Sequence, residues 1–148
     1  MTSPNANRST PLTHLAEALC TWAHRGQKRA GSDKPYAWHP IRVADIVAIG
    51  GGSEQAVCAA LLHDTLEDTD LHPFVIESLF GPEVRQTVET VTRRDGEAYD
   101  DFILRVAEAG GDAVSVKVAD LTHNLTDMPP AKAQLRERYE NALMELSR

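Results

Sequence analysis

The chain has 148 residues, of which 42% are hydrophobic and 25% are charged, and its formal net charge is −7 at pH 7. This length fits one domain with a sizeable hydrophobic core. The acidic balance argues against a general nucleic-acid binder, because such proteins usually carry a broad basic face.

The sequence also gives no sign of a membrane protein or a secreted one. No apolar run reaches the ~18 residues of a membrane span, and the first ten residues contain no signal-peptide core. Cys20 and Cys58 lie far apart and indicate neither a disulfide framework nor a zinc knuckle, so we expect both in the core. We therefore expect a cytoplasmic protein without a membrane or nucleic-acid partner, and the oligomeric state stays open.

The chain begins with a polar segment and then a helical pattern. Residues 1–9 are polar and are expected to form a disordered tail, and a single domain is expected over residues 10–148. Apolar residues at helical spacing predict a first helix over residues 10–24, with Thr13 as its N-cap and Gly26 as its stop.

Two further helices are predicted before the middle of the chain. A loop over residues 27–40 leads into the second helix, whose first turn holds Pro40 and which ends at a run of three glycines. Ser53 is the expected N-cap of the third helix. That helix is apolar along most of its length and brings His63 and Asp64 near its C-terminal end.

The second half of the chain also predicts helices. The segments are residues 73–80, 83–92, 99–109, 112–127 and 131–146. Alternating valines over residues 114–118 are the only rival strand pattern. The predicted fold class is therefore all-α, a bundle of roughly seven to eight helices.

Metal-binding side chains follow directly behind an apolar run in residues 61–68. In a continuous helix, His63 and Glu67 would share one face, and Asp64 and Asp68 the neighbouring face. Adjacent helix positions differ in direction by about 100°, so His63 and Asp64 could bind one ion only if it lay in the angle between them. This pattern predicts a mononuclear metal site. The alternative is an acidic helix end on the surface, which is common.

A metal site needs further ligands, and two distant residues are candidates. His39 and Asp120 are polar residues that interrupt apolar patterns elsewhere in the chain. Two imidazoles and two carboxylates would suit Mn, Fe, Co, Ni or Zn better than Ca, and the carboxylates favour a harder ion among these.

A lone histidine, a His-Asp pair and a lone aspartate in this order resemble the HD phosphohydrolase superfamily. Four segments resemble more narrowly the hydrolase domain of RelA/SpoT-type enzymes: residues 24–29, 35–40, 61–69 and 117–124. The likeness is greatest to the stand-alone small alarmone hydrolases, which remove the 3′-pyrophosphate from guanosine penta- and tetraphosphate. It covers about residues 12–127 and implies an HD-domain helical bundle. The chain is too short for a second, synthetase domain, so we expect degradation of the nucleotide without synthesis.

The resemblance also implies roles for individual residues. The implied ligands of Mn²⁺ are His39, His63, Asp64 and Asp120, and another divalent first-row metal stays possible. Glu67 and Asp68 lie one helical turn beyond the His-Asp pair, a position that suits general acid/base groups; capping the helix end is the alternative. Arg29, Lys28 and Asn124 are the expected contacts to a small nucleotide substrate, although charged loop residues are often merely solvated.

The chain departs from the family pattern in its basic residues. Ala30 stands where family members often carry a second basic residue after the arginine, and residues 93–99 replace a longer basic stretch. Arg93 and Arg94 could compensate by reaching the pyrophosphate. Among the remaining histidines, His24 and His123 are expected to line the pocket or orient ligands, and His14 and His72 are expected at the surface.

Three functions are compatible with this sequence. The leading hypothesis is a Mn²⁺-dependent guanosine-3′,5′-bis(diphosphate) 3′-pyrophosphohydrolase, which releases pyrophosphate and GDP or GTP. The second is an HD-type metal-dependent phosphatase acting on another nucleotide or phosphorylated cofactor. The third is a non-catalytic nucleotide sensor, which the presence of all expected ligands and acid/base residues disfavours.

Overall fold

The computed structural model describes residues 6–148, and within them the chain forms nine α-helices. The first five are α1 (Pro11–Ala23), α2 (Trp38–Ile49), α3 (Glu54–Leu62), α4 (Thr65–Asp68) and α5 (Pro73–Phe80). The other four are α6 (Pro82–Thr90), α7 (Tyr99–Ala109), α8 (Gly111–Thr126) and α9 (Ala133–Leu146). The predicted all-α fold class is confirmed, and residues 114–118 lie inside α8. In this part of the chain, no helix is both long enough and apolar enough to cross a bilayer.

The N-cap of the first helix lies three residues earlier than predicted. The hydroxyl of Thr10 accepts a hydrogen bond from the backbone N–H of Thr13 at 3.1 Å, and the Thr13 hydroxyl accepts one from the Thr10 N–H at 2.8 Å. This reciprocal capping box makes Thr10 the N-cap and Thr13 its partner inside the first turn. Pro11 follows the cap, where a missing N–H costs nothing.

The residues just before α1 are held against the rest of the protein. Ala6–Arg8 form a short 3₁₀ helix. The guanidinium of Arg8 lies 2.6 Å from a carboxylate oxygen of Glu17 and 2.7 Å from one of Asp45. The disordered tail predicted for residues 1–9 is therefore wrong for residues 6–9, and its first five residues lie outside the described part of the chain.

Helix α3 is the centre of the hydrophobic core. Its residues 56–62 are all buried, and it contacts α1, α2, α6 and α8. A helix that is apolar on every side is stable only when other elements surround it. The C-terminal end of α3, directly before His63, therefore lies inside the protein. The single domain predicted over residues 10–148 stays a prediction.

Two apolar residues of α5 test which face of that helix is buried. Ile76 is fully buried and Leu79, almost one turn further on, is 44% exposed. Replacing Ile76 by alanine leaves a cavity in the core and should lower the free energy of unfolding by about 2–5 kcal/mol. The matched variant Leu79→Ala should change it by less than about 1 kcal/mol. Urea denaturation of both variants measures the difference, and equal losses would contradict the buried face assigned to α5.

Candidate metal centre and substrate cavity

The His-Asp pair lies in a break between two helices. Helix α3 ends at Leu62 and α4 begins at Thr65, so His63 and Asp64 form the turn between them. The hydroxyl of Thr65 donates to the carbonyl of Leu62 at 2.7 Å and closes this turn. The third helix thus ends just before the His-Asp pair that was expected near its C-terminal end, and the helical spacing used for residues 63–68 is interrupted at this turn. Because the chain turns here, His63 Nε2 and Asp64 Oδ2 come within 3.1 Å of each other.

Two other helices bring one side chain each to the same point. His39 stands in the first turn of α2, and Asp120 lies on the buried face of α8. Asp120 Oδ1 is 2.8 Å from His39 Nε2 and 3.3 Å from His63 Nε2. Ligand atoms of these three residues all lie within 4.8 Å of one another. Asp64 Oδ2 is 3.8 Å from His39 Nε2, so Asp64 lies beside the two histidines of this three-residue group but is not itself part of it.

The ring of His63 presents a lone pair to the two carboxylates when it is neutral. Its Nδ1 lies 2.6 Å from the carbonyl oxygen of Ala60, which can only accept, so Nδ1 carries the hydrogen. Within residues 6–148, Nε2 is buried without a well-aligned hydrogen bond, although carboxylate oxygens lie close to it. A lone pair facing negatively charged oxygens is repulsive, and either a proton or a cation between them removes the repulsion. The donor set therefore fits a divalent cation.

His39 has a partner that can fix its ring in the orientation a metal requires. Its Nδ1 lies 2.7 Å from Nδ1 of His123, and the two rings stack. Burial, followed by the charge of His39, lowers the pKa of His123 to about 4, so His123 is neutral near pH 7. His123 can then accept the Nδ1 hydrogen of His39, and His39 Nε2 is left free to bind a cation.

Each carboxylate has a further polar partner besides the histidines. The Lys117 ammonium lies 2.9 Å from Asp120 Oδ2, and the Tyr36 hydroxyl donates to Asp64 Oδ2 at 2.7 Å. Burial opposes ionisation, but Lys117 and the histidines hold the pKa of Asp120 well below its usual value. The attraction of His63 likewise overcomes burial and lowers the pKa of Asp64. Both carboxylates are therefore available as anionic ligands.

Glu67 and Asp68 lie on the one-turn helix α4, where both face a cavity of about 340 Å³ beside the metal centre. Partial burial, and next the negative charge of Asp64, raise the pKa of each carboxyl group. A raised pKa brings a carboxylic acid closer to neutrality and makes it a better proton carrier at physiological pH. The same negative neighbours would favour a cation at the centre.

Cations line the other walls of this cavity. They come from four elements of the chain and are Arg29, Arg93, Lys117 and Arg138. Arg29 Nη2 donates to Asn124 Oδ1 at 2.6 Å and contacts Asp127 at 3.1 Å. Asn124 Nδ2 in turn donates to Asp120 Oδ1 at 3.1 Å. The expected substrate contacts Arg29 and Asn124 thus lie in the cavity and are linked to the metal centre.

The structure does not bring two of the expected basic residues to the cavity. The ammonium of Lys28 points to Asp33 at 3.8 Å, and its side chain is 67% exposed in the hairpin-like loop. Arg94 lies on a neighbouring surface, whereas Arg93 lines the cavity. The substrate-contact role expected for Lys28 is therefore not supported by its position, because successive residues of an extended segment such as Lys28 and Arg29 face opposite sides.

Sequence reasoning gave no role to several residues that shape the site. Lys117 is three residues before Asp120 on one helix, and this spacing could have indicated the contact. Tyr36 lies in a family-like segment, but its hydrogen bond to Asp64 spans two distant parts of the chain. Arg138 comes from α9, and nothing in the sequence pattern ties that helix to the site.

An all-α domain that gathers a lone histidine, a His-Asp pair and a lone aspartate around one centre has the form of an HD domain. The family model for the HD domain matches residues 16–99, which is more than half of the chain. The chain therefore belongs to the HD domain family.

Relatives within this family are named for alarmone metabolism. A probable guanosine-3′,5′-bis(diphosphate) 3′-pyrophosphohydrolase from Synechocystis is 30% identical over 142 residues, which cover 88% of this chain and 19% of the relative. The bifunctional (p)ppGpp synthase/hydrolase SpoT of Escherichia coli is 33% identical over 135 residues, which cover 84% of this chain and 19% of SpoT. The chain thus spans only about a fifth of the length of these curated relatives.

A solved structure matches the chain over most of both lengths. It is a metazoan orthologue of SpoT that hydrolyses ppGpp and plays a role in starvation responses. The two chains are 29% identical, with a TM-score of 0.76, and the match covers 94% of this chain and 83% of the other. The likeness in fold therefore extends over nearly the whole chain.

The contact between His39 and His123 generates a prediction about metal affinity. In His123→Phe, an aromatic ring can still pack on Trp38, whose ring centroid lies 4.7 Å away, but the acceptor for His39 is lost. We expect divalent-metal affinity to fall by about tenfold to a hundredfold, as when other groups that orient metal-binding histidines are removed. Titration calorimetry with Mn²⁺ measures this affinity. The exposed His14→Phe is the control, and equal affinities in both variants would remove His123 from the site.

Proposed function

We propose that the chain is a Mn²⁺-dependent pyrophosphohydrolase of guanosine 3′,5′-bis(diphosphate) and its pentaphosphate relative. It removes the 3′-pyrophosphate and releases GDP or GTP. The proposal is carried by the cluster of His39, His63 and Asp120, whose ligand atoms lie within 4.8 Å of one another. The cluster lies beside a cavity that is lined by basic side chains. The family membership and the names of the relatives support the same reaction.

The proposed metal ligands are His39, His63, Asp64 and Asp120. Their two nitrogens and two carboxylates suit a first-row divalent ion, and the carboxylates favour a hard one such as Mn²⁺. A divalent cation in this position polarises a phosphoryl oxygen and lowers the pKa of water. Lys117 occupies Oδ2 of Asp120 and leaves Oδ1 directed at the two histidines, whereas Tyr36 donates to Oδ2 of Asp64, the same oxygen that faces them.

Glu67 and Asp68 are the proposed acid/base pair. Hydrolysis of the 3′-pyrophosphate needs one proton removed from the attacking water and one returned to the ribose 3′ oxygen. Both carboxyl groups face the cavity, and their raised pKa values suit the two transfers.

The cavity walls supply the proposed contacts to the nucleotide. Arg29 presents a planar guanidinium, which can stack on a base or form paired hydrogen bonds to phosphate. Asn124 holds that guanidinium from one side. Arg93 and Arg138 flank the ring of Tyr99, with Arg138 4.1 Å from its centroid, and are placed to bind a second group of phosphates. These local cations offset the net negative charge of the chain.

Product identity tests the reaction. Purified protein with Mn²⁺ should convert guanosine 3′,5′-bis(diphosphate) into GDP and intact pyrophosphate, measured by anion-exchange chromatography against a panel of phosphorylated nucleotides. His63→Ala and Asp64→Ala should lose bound Mn²⁺ and turnover together, because each removes a ligand. Orthophosphate as the first product would instead indicate a phosphatase, and tight binding without turnover would indicate a sensor.

A second variant separates acid/base chemistry from metal binding. Glu67→Gln removes the ionisable group but keeps its size, so Mn²⁺ affinity should stay unchanged while kcat falls by about a hundredfold or more. Glu83→Gln, at an exposed position of α6, is the matched control and should leave kcat unchanged. Metal titration and steady-state kinetics measure both quantities. Full activity in Glu67→Gln would exclude Glu67 from the mechanism.

A further inference from the structure

Helix α4 carries Glu67 and Asp68 but has only four residues. A single turn is not stable by itself, because nucleation of a helix costs more than one hydrogen bond returns. Inside the segment, the Thr69 hydroxyl donates to the carbonyl of Thr65 at 2.7 Å. A contact from a distant part of the chain is also present: Gln27 Nε2 donates to the backbone carbonyl of Asp68 at 2.8 Å. This bond joins the end of α4 to the loop after α1.

The orientation of the Gln27 amide follows from this carbonyl. A carbonyl oxygen only accepts, so the NH₂ group of Gln27 must face Asp68 and its Oε1 must face the other way. Gln27 Oε1 lies 2.9 Å from Nδ1 of His24, and an amide oxygen also only accepts. His24 therefore carries its hydrogen on Nδ1. One backbone carbonyl thus determines both the amide orientation and the histidine tautomer.

His24 is a rigid anchor for this chain of hydrogen bonds. It is 2% exposed, and its backbone N–H bonds to the carbonyl of Cys20 at the end of α1. Its ring also lies against Tyr36, with 4.9 Å between centroids, and Tyr36 donates to Asp64. His24 is therefore connected by packing to the ligand Asp64, and by the Gln27 amide to the helix that carries Asp68.

We propose that Gln27, oriented by His24, is a positioning residue that holds α4 so that the carboxyl groups of Glu67 and Asp68 stay directed into the cavity. The proposal rests on the proposed function for the role of those two groups. Gln27 lines a larger cavity of about 800 Å³ that shares Glu67 and Asp68 with the metal cavity. Thr65 and Leu66 pack α4 against the core, so the Gln27 hydrogen bond acts at the opposite, C-terminal end of α4, where Glu67 and Asp68 border both cavities.

The variant Gln27→Glu removes the contact to α4 and adds a negative charge beside it, and the neutral variant Gln27→Met separates these two effects. Gln27→Glu keeps the length of the side chain and an acceptor for the His24 hydrogen, but it replaces the donor to the Asp68 carbonyl by an oxygen. We expect kcat to fall on the order of tenfold to a hundredfold, since small displacements of a catalytic group have effects of this size. The KM and the Mn²⁺ affinity should stay within about twofold, because neither the cations nor the metal ligands change.

Two further variants complete the kinetic test. Gln27→Met removes both hydrogen bonds at nearly the same volume and should lower kcat at least as much as Gln27→Glu. Gln55→Met, at an exposed position of α3, is the matched control and should leave kcat unchanged. Unchanged kcat in both Gln27 variants, or parallel losses in kcat, KM and metal affinity, would overturn the positioning role.

Amide hydrogen exchange tests the same contact without any turnover. In the full-length Gln27 variants, the amides of residues 65–70 should exchange faster than in the wild type, while those of α3 stay protected. Unchanged exchange in residues 65–70 would overturn the proposal even if the enzyme is active. If the wild type does not hydrolyse the alarmone, the proposed function fails, and the exchange result still decides whether Gln27 holds α4.

Discussion

Two buried imidazole rings and two carboxylates face one another inside this domain. Their close approach is stable only when a proton or a metal ion supplies positive charge between them. The Ala60 carbonyl fixes the hydrogen of His63 on Nδ1, so a neutral ring directs a lone pair at Asp64 and Asp120. Against the effect of burial, these two carboxylates raise the pKa of His63 well above its usual value. The attraction for a proton and the attraction for a divalent cation have the same electrostatic origin. A metal ion binding here would replace that proton.

The fold creates this concentration of charge by interrupting its most buried helix. Helix α3 is apolar on every side, and a continuous helix would have carried His63 and Asp64 in directions about 100° apart. The turn at residues 63–64 lets both side chains point to one centre, and α4 then resumes with Glu67 and Asp68 on the cavity side. The break therefore separates the proposed metal ligands His63 and Asp64 from the proposed acid/base pair Glu67 and Asp68.

Much of the fold and the identity of the central residues could be predicted from the sequence, because both follow local rules. Glycine and proline signals bound the helices, and His39, His63 and Asp120 are polar residues within apolar patterns. The break after Leu62 could not be predicted, since no glycine or proline marks it and the Thr65 hydroxyl that closes it is equally compatible with a helix. The position of Arg138 at the cavity could not be predicted either, because it depends on how α9 packs against the other helices and not on the sequence pattern of α9.

The side-chain amide of Asn124 links Arg29 in the cavity to Asp120 at the candidate metal centre. Asn124 accepts from Arg29 with its oxygen and donates to Asp120 with its nitrogen, so the two ends of its side chain contact a cation and a metal-ligand candidate. A phosphate or base that draws the Arg29 guanidinium toward itself weakens the bond to Asn124 Oδ1. Asn124 then polarises Asp120 less, and the carboxylate becomes a stronger ligand. Binding of an anion beside Arg29 and binding of a metal at the centre would therefore favour each other, although the chain has a net charge of −7.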